Sequence, residues 1–243
     1  MKYLFFLISV TISPPSYAQT CPSNEHWVSP HTRSSYVTAN GKTVRPAFIK
    51  GHCRKNPEGY TTWLPKIQDN LPSNWPHKNE SSRTWSTEEK EKVLEAMATI
   101  PPELWSPKIT GIHRAKRSKD HPNPATSADG IIVVYDSAFE RERNLARIFT
   151  HELAHQKYYD MTLEQRESYW YPMNWLPINS PKNIFISRSE GFVQDDGRES
   201  PEEDFANNVE YFLFDPKKLE KTTPHATKWI KKYFGDKFKI REK

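Results

Sequence analysis

The chain has 243 residues, of which 35% are hydrophobic, a mean hydropathy of −0.84 and a formal net charge of +5. This length predicts one sizeable domain with an additional module, or two small domains. So polar a composition, with no apolar run after the N-terminus long enough to cross a bilayer, excludes a polytopic membrane protein.

Residues 1–18 have the pattern of a secretory signal peptide. Lys2 supplies the positive charge, residues 3–12 form a short apolar run, and Ser16 and Ala18 are small residues at the positions that a signal peptidase requires. We therefore expect cleavage after about Ala18 and a secreted or periplasmic protein without stable membrane insertion.

Export would separate the protein from nucleic acids, so we expect no nucleic-acid partner. The basic charge predicts attraction to acidic polymers of the envelope.

The sequence contains two cysteines, Cys21 and Cys53. In an oxidising compartment an even pair predicts a disulfide, which here would close an N-terminal loop. The alternative is that one thiolate caps a metal ion, since His52 lies beside Cys53.

After the signal peptide the sequence predicts three parts. Residues 19–65 predict a small β-rich module, because Asn40-Gly41 lies between two β-prone runs and is typical of a tight hairpin turn. Residues 66–83 are rich in Asn, Pro and Ser without a sustained period, and predict a linker or an extended segment that wraps around the domain. Residues 84–243 predict an α+β domain.

The first elements of this domain are a helix and two strands. Ser86 and Glu89 form a capping box, which predicts that a helix begins after Ser86. Apolar runs at residues 109–113 and 130–135 predict two strands, separated by a polar loop at residues 116–129 that is long enough to overhang a cleft. A strand beside such a cleft would let an extended peptide add as a further strand.

A second helix, predicted from about residue 137 to 159, contains a His-Glu-x-x-His motif at residues 151–155. Two histidines four residues apart lie one turn apart on the same helix face, so His151 and His155 can bind one metal ion. Glu152 would lie beside that metal, where a carboxylate can accept a proton from metal-bound water. The motif therefore predicts a metal centre with two ligands and a general base.

A catalytic metal of this kind normally takes three protein ligands, so a third ligand must come from elsewhere in the chain. The metzincin continuation is excluded, because Tyr158 and Met161 stand where that class has glycine and histidine. Residues 160–199 follow without a clear period and predict an irregular insertion.

The third ligand is expected on a helix that begins after Ser200, with Pro201 at its first position. Three carboxylates of this helix are candidates, those of Glu202, Glu203 and Glu210. Glu203 has a competing interpretation, since a glutamate three residues after the N-cap serine can complete a capping box.

These features resemble the gluzincin metallopeptidases, most closely the branch that contains the anthrax lethal factor catalytic domain. In that branch a helix reading Glu-x-x-Ala follows the His-Glu-x-x-His helix after several dozen residues, and residues 203–206 match this pattern. The resemblance covers about residues 84–243. It implies that His151, His155 and Glu203 are zinc ligands and that Glu152 is the general base.

The resemblance also implies two supporting roles. The family usually has an acidic residue four positions after the third ligand, which hydrogen-bonds a zinc histidine. Asn207 stands at this position, and its amide oxygen could accept from an imidazole N–H. A tyrosine or histidine stabilises the oxyanion in the family, and Tyr135 and Tyr211 are the candidates for this role.

The implied fold is a zincin-like domain, in which a small mixed sheet lies over the motif helix and further helices follow. The implied activity is that of an exported zinc-dependent endopeptidase acting on a protein or peptide substrate. Two alternatives stay open. One is an envelope-binding protein with a structural or relic metal site, and the other is an amidase that acts on cell-wall peptides through the same chemistry.

Overall fold

The structure is a computed structural model, and it describes most of the chain after residue 25. The described ranges are 25–28, 31–33, 35–37, 42–50, 52–55, 66–77, 79–106, 108–118, 123–128, 130–140 and 143–241. The predicted signal peptide, residues 1–18, lies outside them. Contacts within the chain define two units, Met1–Asn56 and Pro57–Lys243. None of the described helices has both the length and the apolar character needed to span a membrane.

The described part of the first unit consists of short antiparallel strands. They are β1 (Glu25–Val28), β2 (His31–Arg33), β3 (Tyr36–Val37), β4 (Thr43–Val44), β5 (Ala47–Ile49) and β6 (His52–Lys55). β1 pairs with β6, β2 with β5 and β3 with β4, so the pairs nest around one chain reversal. β3 and β4 form the predicted hairpin, although its Asn40-Gly41 turn lies outside the described residues. The strands confirm the β-rich character predicted for this segment.

Only one of the two cysteines can be placed. Cys53 lies in β6 and is not a free thiol. Cys21 lies outside the described residues, so the disulfide between the two stays a prediction.

The second unit contains a four-stranded mixed sheet. Its strands are β7 (Lys66–Gln68), β8 (Gly111–Arg114), β9 (Ala125–Ala128) and β10 (Ile131–Val134), in the spatial order β7-β8-β10-β9. β8 runs parallel to β7 and to β10, whereas β9 pairs antiparallel with β10 and forms one edge. β8 and β10 are the two predicted strands. β9 was expected to be loop, because its small and polar side chains carry no strand pattern, and its backbone pairing with β10 is what makes it a strand.

Residues 66–83 are part of the second unit, which agrees with the extended segment that was one prediction and not with the linker that was the other. They include β7, and they bury Trp75 beside Val133 and Tyr135 on one side of the sheet. Glu80 joins this cluster, since Trp75 Nε1 and the Tyr135 hydroxyl both donate to its carboxylate, at 3.0 Å and 2.9 Å. The tertiary contacts of one tryptophan thus order a segment that has no period of its own.

The first two helices of this unit begin at side-chain caps. α1 (Thr87–Thr99) has the predicted capping box between Ser86 and Glu89. α2 (Leu145–Asp160) begins later than predicted, because the Asn144 side chain accepts from the backbone N–H of Arg147 and caps the helix there. Residues Asp136–Phe139, expected to belong to α2, form a separate 3₁₀ turn.

Residues 160–199 contain regular secondary structure, where the sequence predicted an irregular insertion. They contain the helix α3 (Leu163–Trp170) and an antiparallel hairpin of β11 (Leu176–Asn179) and β12 (Ile184–Ile186). Trp170 and Trp175 are buried and contact Phe185 of the hairpin edge-on. Aromatic packing, which has no sequence period, fixes this region.

The remaining helices are α4 (Pro201–Phe214), α5 (Pro216–Thr222) and α6 (Pro224–Phe234). Each begins with proline, whose missing N–H costs nothing at the first position of a helix. α2 packs against α4, α1 and the edge strand β9. Phe149 and Leu153 of α2 and Phe205 and Val209 of α4 are fully buried in one hydrophobic core. This packing sets the distance between the motif helix and the helix that carries Glu203.

Replacement of Phe205 by alanine should lower the free energy of unfolding by about 3–5 kcal/mol. The ring contacts Tyr158, Tyr169 and Trp229 at centroid distances of 5.6, 5.2 and 5.9 Å, so its removal leaves a cavity with rigid walls. Urea unfolding would measure the change. Phe48→Ala is the control, because Phe48 is 67% exposed and its loss should cost less than about 0.5 kcal/mol. Equal effects of the two substitutions would contradict this account of the core.

Candidate metal centre

His151 and His155 lie one turn apart on α2 and direct the same ring atom to one point. Their Nε2 atoms are 3.1 Å apart. Both rings are largely enclosed, with exposed side-chain fractions of 18% and 9%. The predicted arrangement of the motif is therefore present.

Glu203 reaches this point from α4. Its Oε2 lies 3.4 Å from His151 Nε2 and 3.5 Å from His155 Nε2. The capping interpretation does not involve this carboxylate, because Ser200 Oγ accepts from the backbone N–H of Glu203 at 3.1 Å while the side chain points at the imidazoles. Glu203 is thus the carboxylate that the structure brings to both histidines.

The three side chains can hold a metal ion, and they are the group of that kind found among the described residues. Their ligand atoms form a triangle with sides of 3.1, 3.4 and 3.5 Å. Atoms about 2.0–2.1 Å from a tetrahedral metal lie about 3.3 Å from one another. The triangle therefore has the size that such a metal requires, and it leaves a fourth position free for another ligand.

Two further carboxylates orient the imidazole rings. Glu210 Oε2 lies 3.1 Å from His151 Nδ1, and Glu202 Oε1 lies 2.9 Å from His155 Nδ1. A carboxylate on the second ring nitrogen fixes the tautomer, so that the nitrogen facing the metal position is the one without a proton. Glu202 and Glu210, considered above as rival ligands, therefore support the two histidines.

Asn207 does not have the contact that the resemblance implied. Its side-chain amide donates to Asp196 Oδ1 at 2.7 Å, and its oxygen lies 3.5 Å from Gln194 Nε2. The reason is the rotation of α4 against α2. Glu210, two turns beyond Glu203 on nearly the same face, lies where the His151 ring can reach it.

Arg147 is a residue of the site that the sequence analysis missed. Its Nε donates to Glu210 Oε1, and its guanidinium lies 4.4 Å from the centre of the Tyr211 ring. Arg147 thus holds the carboxylate that orients His151. The signal was present in the sequence, because Arg147 precedes His151 by four residues and must share its helix face.

The surrounding carboxylates favour a positive charge at the three ligand atoms. Burial alone would raise the pKa of Glu203, but hydrogen bonds with both histidines hold that pKa well below its usual range. Burial likewise disfavours charged imidazoles, yet Glu202 and Glu203 raise the pKa of His155 to about 9. The pKa of His151 also rises well above its usual value, through Glu203 and Glu210. A proton and a metal ion therefore compete for these nitrogens.

A cleft of about 970 Å³ opens onto the centre. Its walls are β9, the face of α2 that carries the histidines, and residues of α4 with the turn before it. Glu152 lines the cleft, and its carboxylate forms no hydrogen bond with another described residue. A carboxylate in this position is available to a water molecule or to a substrate.

The two tyrosines considered for oxyanion stabilisation have different surroundings. Tyr135 is fully buried in the cluster around Trp75 and donates to Glu80, so it does not serve the cleft. Tyr211 lines the cleft, and its hydroxyl accepts from Lys218 Nζ at 3.3 Å. Of the two candidates, only Tyr211 has a place in the site.

Comparison with known proteins gives this chain no relatives, since no family model, curated protein or solved structure matches it.

Metal affinity should increase with pH, because a bound metal must displace the proton that each imidazole holds. His155 is protonated below its raised pKa of about 9, so the apparent zinc dissociation constant should fall about tenfold per pH unit for each proton released, and level off above that pKa. Competition with a chelator of known affinity, from about pH 6 to about pH 9, would measure this. A constant affinity over this range would contradict the assigned ligands.

Replacement of Glu210 by glutamine should weaken metal binding by about 10–100-fold, because the amide removes the charge that faces His151 Nδ1 and releases Arg147. The same chelator competition would measure the change, with circular dichroism to check the fold. Glu220→Gln, an exposed residue of α5 outside the cleft lining, is the matched control. An affinity equal to that of the control would remove Glu210 from the site.

Proposed function

We propose that this chain is an exported zinc-dependent endopeptidase with a zincin-like domain. The observation that carries the proposal is the triangle of His151, His155 and Glu203 at the bottom of an open cleft, with Glu152 beside it. Two imidazoles and one carboxylate with a fourth position free are the ligands of catalytic zinc in this class of hydrolase. The mixed α+β architecture, in which β9 borders the motif helix, supports the zincin-like assignment.

The proposed chemistry uses Glu152 as a proton carrier. His151, His155 and Glu203 would hold the zinc ion, which would lower the pKa of a water molecule and polarise a carbonyl group. Glu152 accepts the proton of the attacking water and then donates it to the nitrogen of the leaving amine. Glu210 and Glu202 keep the imidazoles oriented throughout, and Arg147 keeps Glu210 in place.

The edge position of β9 supports the proposal that the substrate is a peptide. β9 is an edge strand, so the backbone groups on its outer side are available for pairing with an extended chain. Ala125, Thr126 and Ser127 line the cleft, and side chains of this size let another backbone approach closely. This strand occupies the segment where the sequence placed an overhanging loop.

An envelope-binding protein with a structural metal fits these observations less well. A structural zinc takes four protein ligands, whereas the described residues bring three together. A structural site also does not require a general base, the role that Glu152 could fill in the open cleft. The cell-wall amidase would use the same chemistry, and the basic charge of the chain suits acidic envelope polymers without selecting that substrate. Export itself rests on residues 1–18 and is proposed on the sequence alone.

Replacement of Glu152 by glutamine should leave zinc bound and lower kcat/KM for peptide cleavage by about 10²–10⁴-fold, because the amide cannot accept a proton. Digestion of a peptide library, with products identified by mass spectrometry, would measure activity, and metal analysis would measure the zinc content. Glu220→Gln should behave like the wild type. Cross-linked cell-wall peptides are a second set of substrates, and their cleavage would identify an amidase.

Two results would contradict the proposal. One is a Glu152→Gln variant as active as the wild type. The other is a zinc-loaded wild type that cleaves neither set of substrates, which would favour a binding protein.

A further inference from the structure

The cleft carries opposite charges at its two ends. α2 and α4 run antiparallel, because Glu202 near the start of α4 contacts His155 while Glu210 further along contacts His151. Glu202 therefore lies towards the C-terminal half of α2, whereas Asp196 lies beside the middle of α4, where it accepts from Asn207. Arg143 and Arg147 line the cleft at the opposite end, where α2 begins.

Among the described residues, Arg143 is a cation at this end without a carboxylate partner. Arg147 is paired with Glu210, so these two charges largely cancel. Arg143 is exposed, lines the cleft and forms no hydrogen bond or ion pair with another described side chain. Lys218 adds a further cation, with its Nζ 4.5 Å from the centre of the Tyr211 ring. The field at this end therefore favours an anion.

The same end has an apolar lining. Ile148, Tyr211 and Phe214 line the cleft there. Arg147 lies one helical turn, about 6 Å, from His151. An extended peptide advances about 3.3 Å per residue, so this end would receive a residue one or two positions from the bond at the metal centre.

The direction of β9 decides which side of the bond this residue is on. The Ser137 hydroxyl donates to the Asn123 carbonyl before β9, and the Gly130 N–H after it donates to Gln156 Oε1 near the C-terminal end of α2. β9 thus runs in the same direction as α2. A peptide pairing antiparallel to β9 would place its C-terminal part over Arg143, which also matches the charges of peptide termini.

We propose that Arg143 binds a carboxylate on the C-terminal side of the scissile bond, in a subsite whose apolar lining includes Tyr211. The carboxylate belongs either to an aspartate or glutamate side chain or to the C-terminus of the peptide. The inference rests on the proposed function for its ligand, a peptide, and adds a substrate class to it.

The test measures binding to the zinc-loaded Glu152→Gln protein, in which peptides are not consumed. The probes are acetyl-Ala-Ala-Phe-Asp-amide, its Asn analogue, acetyl-Ala-Ala-Phe-Ala with a free carboxylate, and the amide of that peptide. A carboxylate probe should bind about tenfold more tightly than its neutral partner. The Asp/Asn pair and the acid/amide pair show separately which carboxylate is recognised.

Two further variants link this preference to the cleft. Arg143→Glu in the same background should remove the preference for the carboxylate, since the added charge repels it. Lys217→Glu makes the same charge change on an exposed residue of α5 outside the cleft lining, and should keep the preference. Circular dichroism would verify that both variants fold.

Equal affinities for all four probes, or a preference that Arg143→Glu leaves intact, would overturn the carboxylate subsite. Its failure is distinguishable from that of the proposed function. Wild-type cleavage of library peptides without any preference for a carboxylate would support the peptidase and contradict the subsite. A carboxylate preference in binding, without cleavage of any peptide, would support the subsite and contradict the peptidase.

Discussion

The antiparallel packing of α2 on α4 is the constraint on which the site depends. The buried side chains of Phe149, Leu153, Phe205 and Val209 fix the distance and the rotation between the two helices. Only at this distance does Glu203 lie within 3.5 Å of both imidazoles. The apolar core therefore supplies the geometry, and the polar residues beside it supply the ligands.

The same packing explains why the site carries so many carboxylates. Each imidazole has one carboxylate at the nitrogen facing the metal position and another at the far nitrogen. Their combined negative charge would be costly in a buried site unless a cation balanced it. Arg147 offsets Glu210, and a divalent metal between the ligands would offset the rest. The charges of the site thus agree with the geometry of the ligand triangle.

Sequence signals predicted the elements that depend on interactions within one helical turn. They missed the elements that depend on contacts between distant segments. The capping box at Ser86 and the proline after Ser200 act within one turn, so the starts of α1 and α4 could be predicted. β9 and residues 66–83 have no period of their own. Their structure comes from pairing with β10 and β8 and from burial of Trp75, which are contacts between segments distant in the sequence.

The sequence by itself determined the motif helix, with His151 and His155 on one face and Glu152 beside them, because helical spacing is a local property. It also supplied the candidates for the third ligand without ranking them on geometry. The tertiary structure decided that Glu203 meets both histidines, that Glu202 and Glu210 orient them, and that Asn207 contacts Asp196 instead. These roles depend on the rotation of α4 against α2, which the packed core sets and which no spacing within one helix encodes.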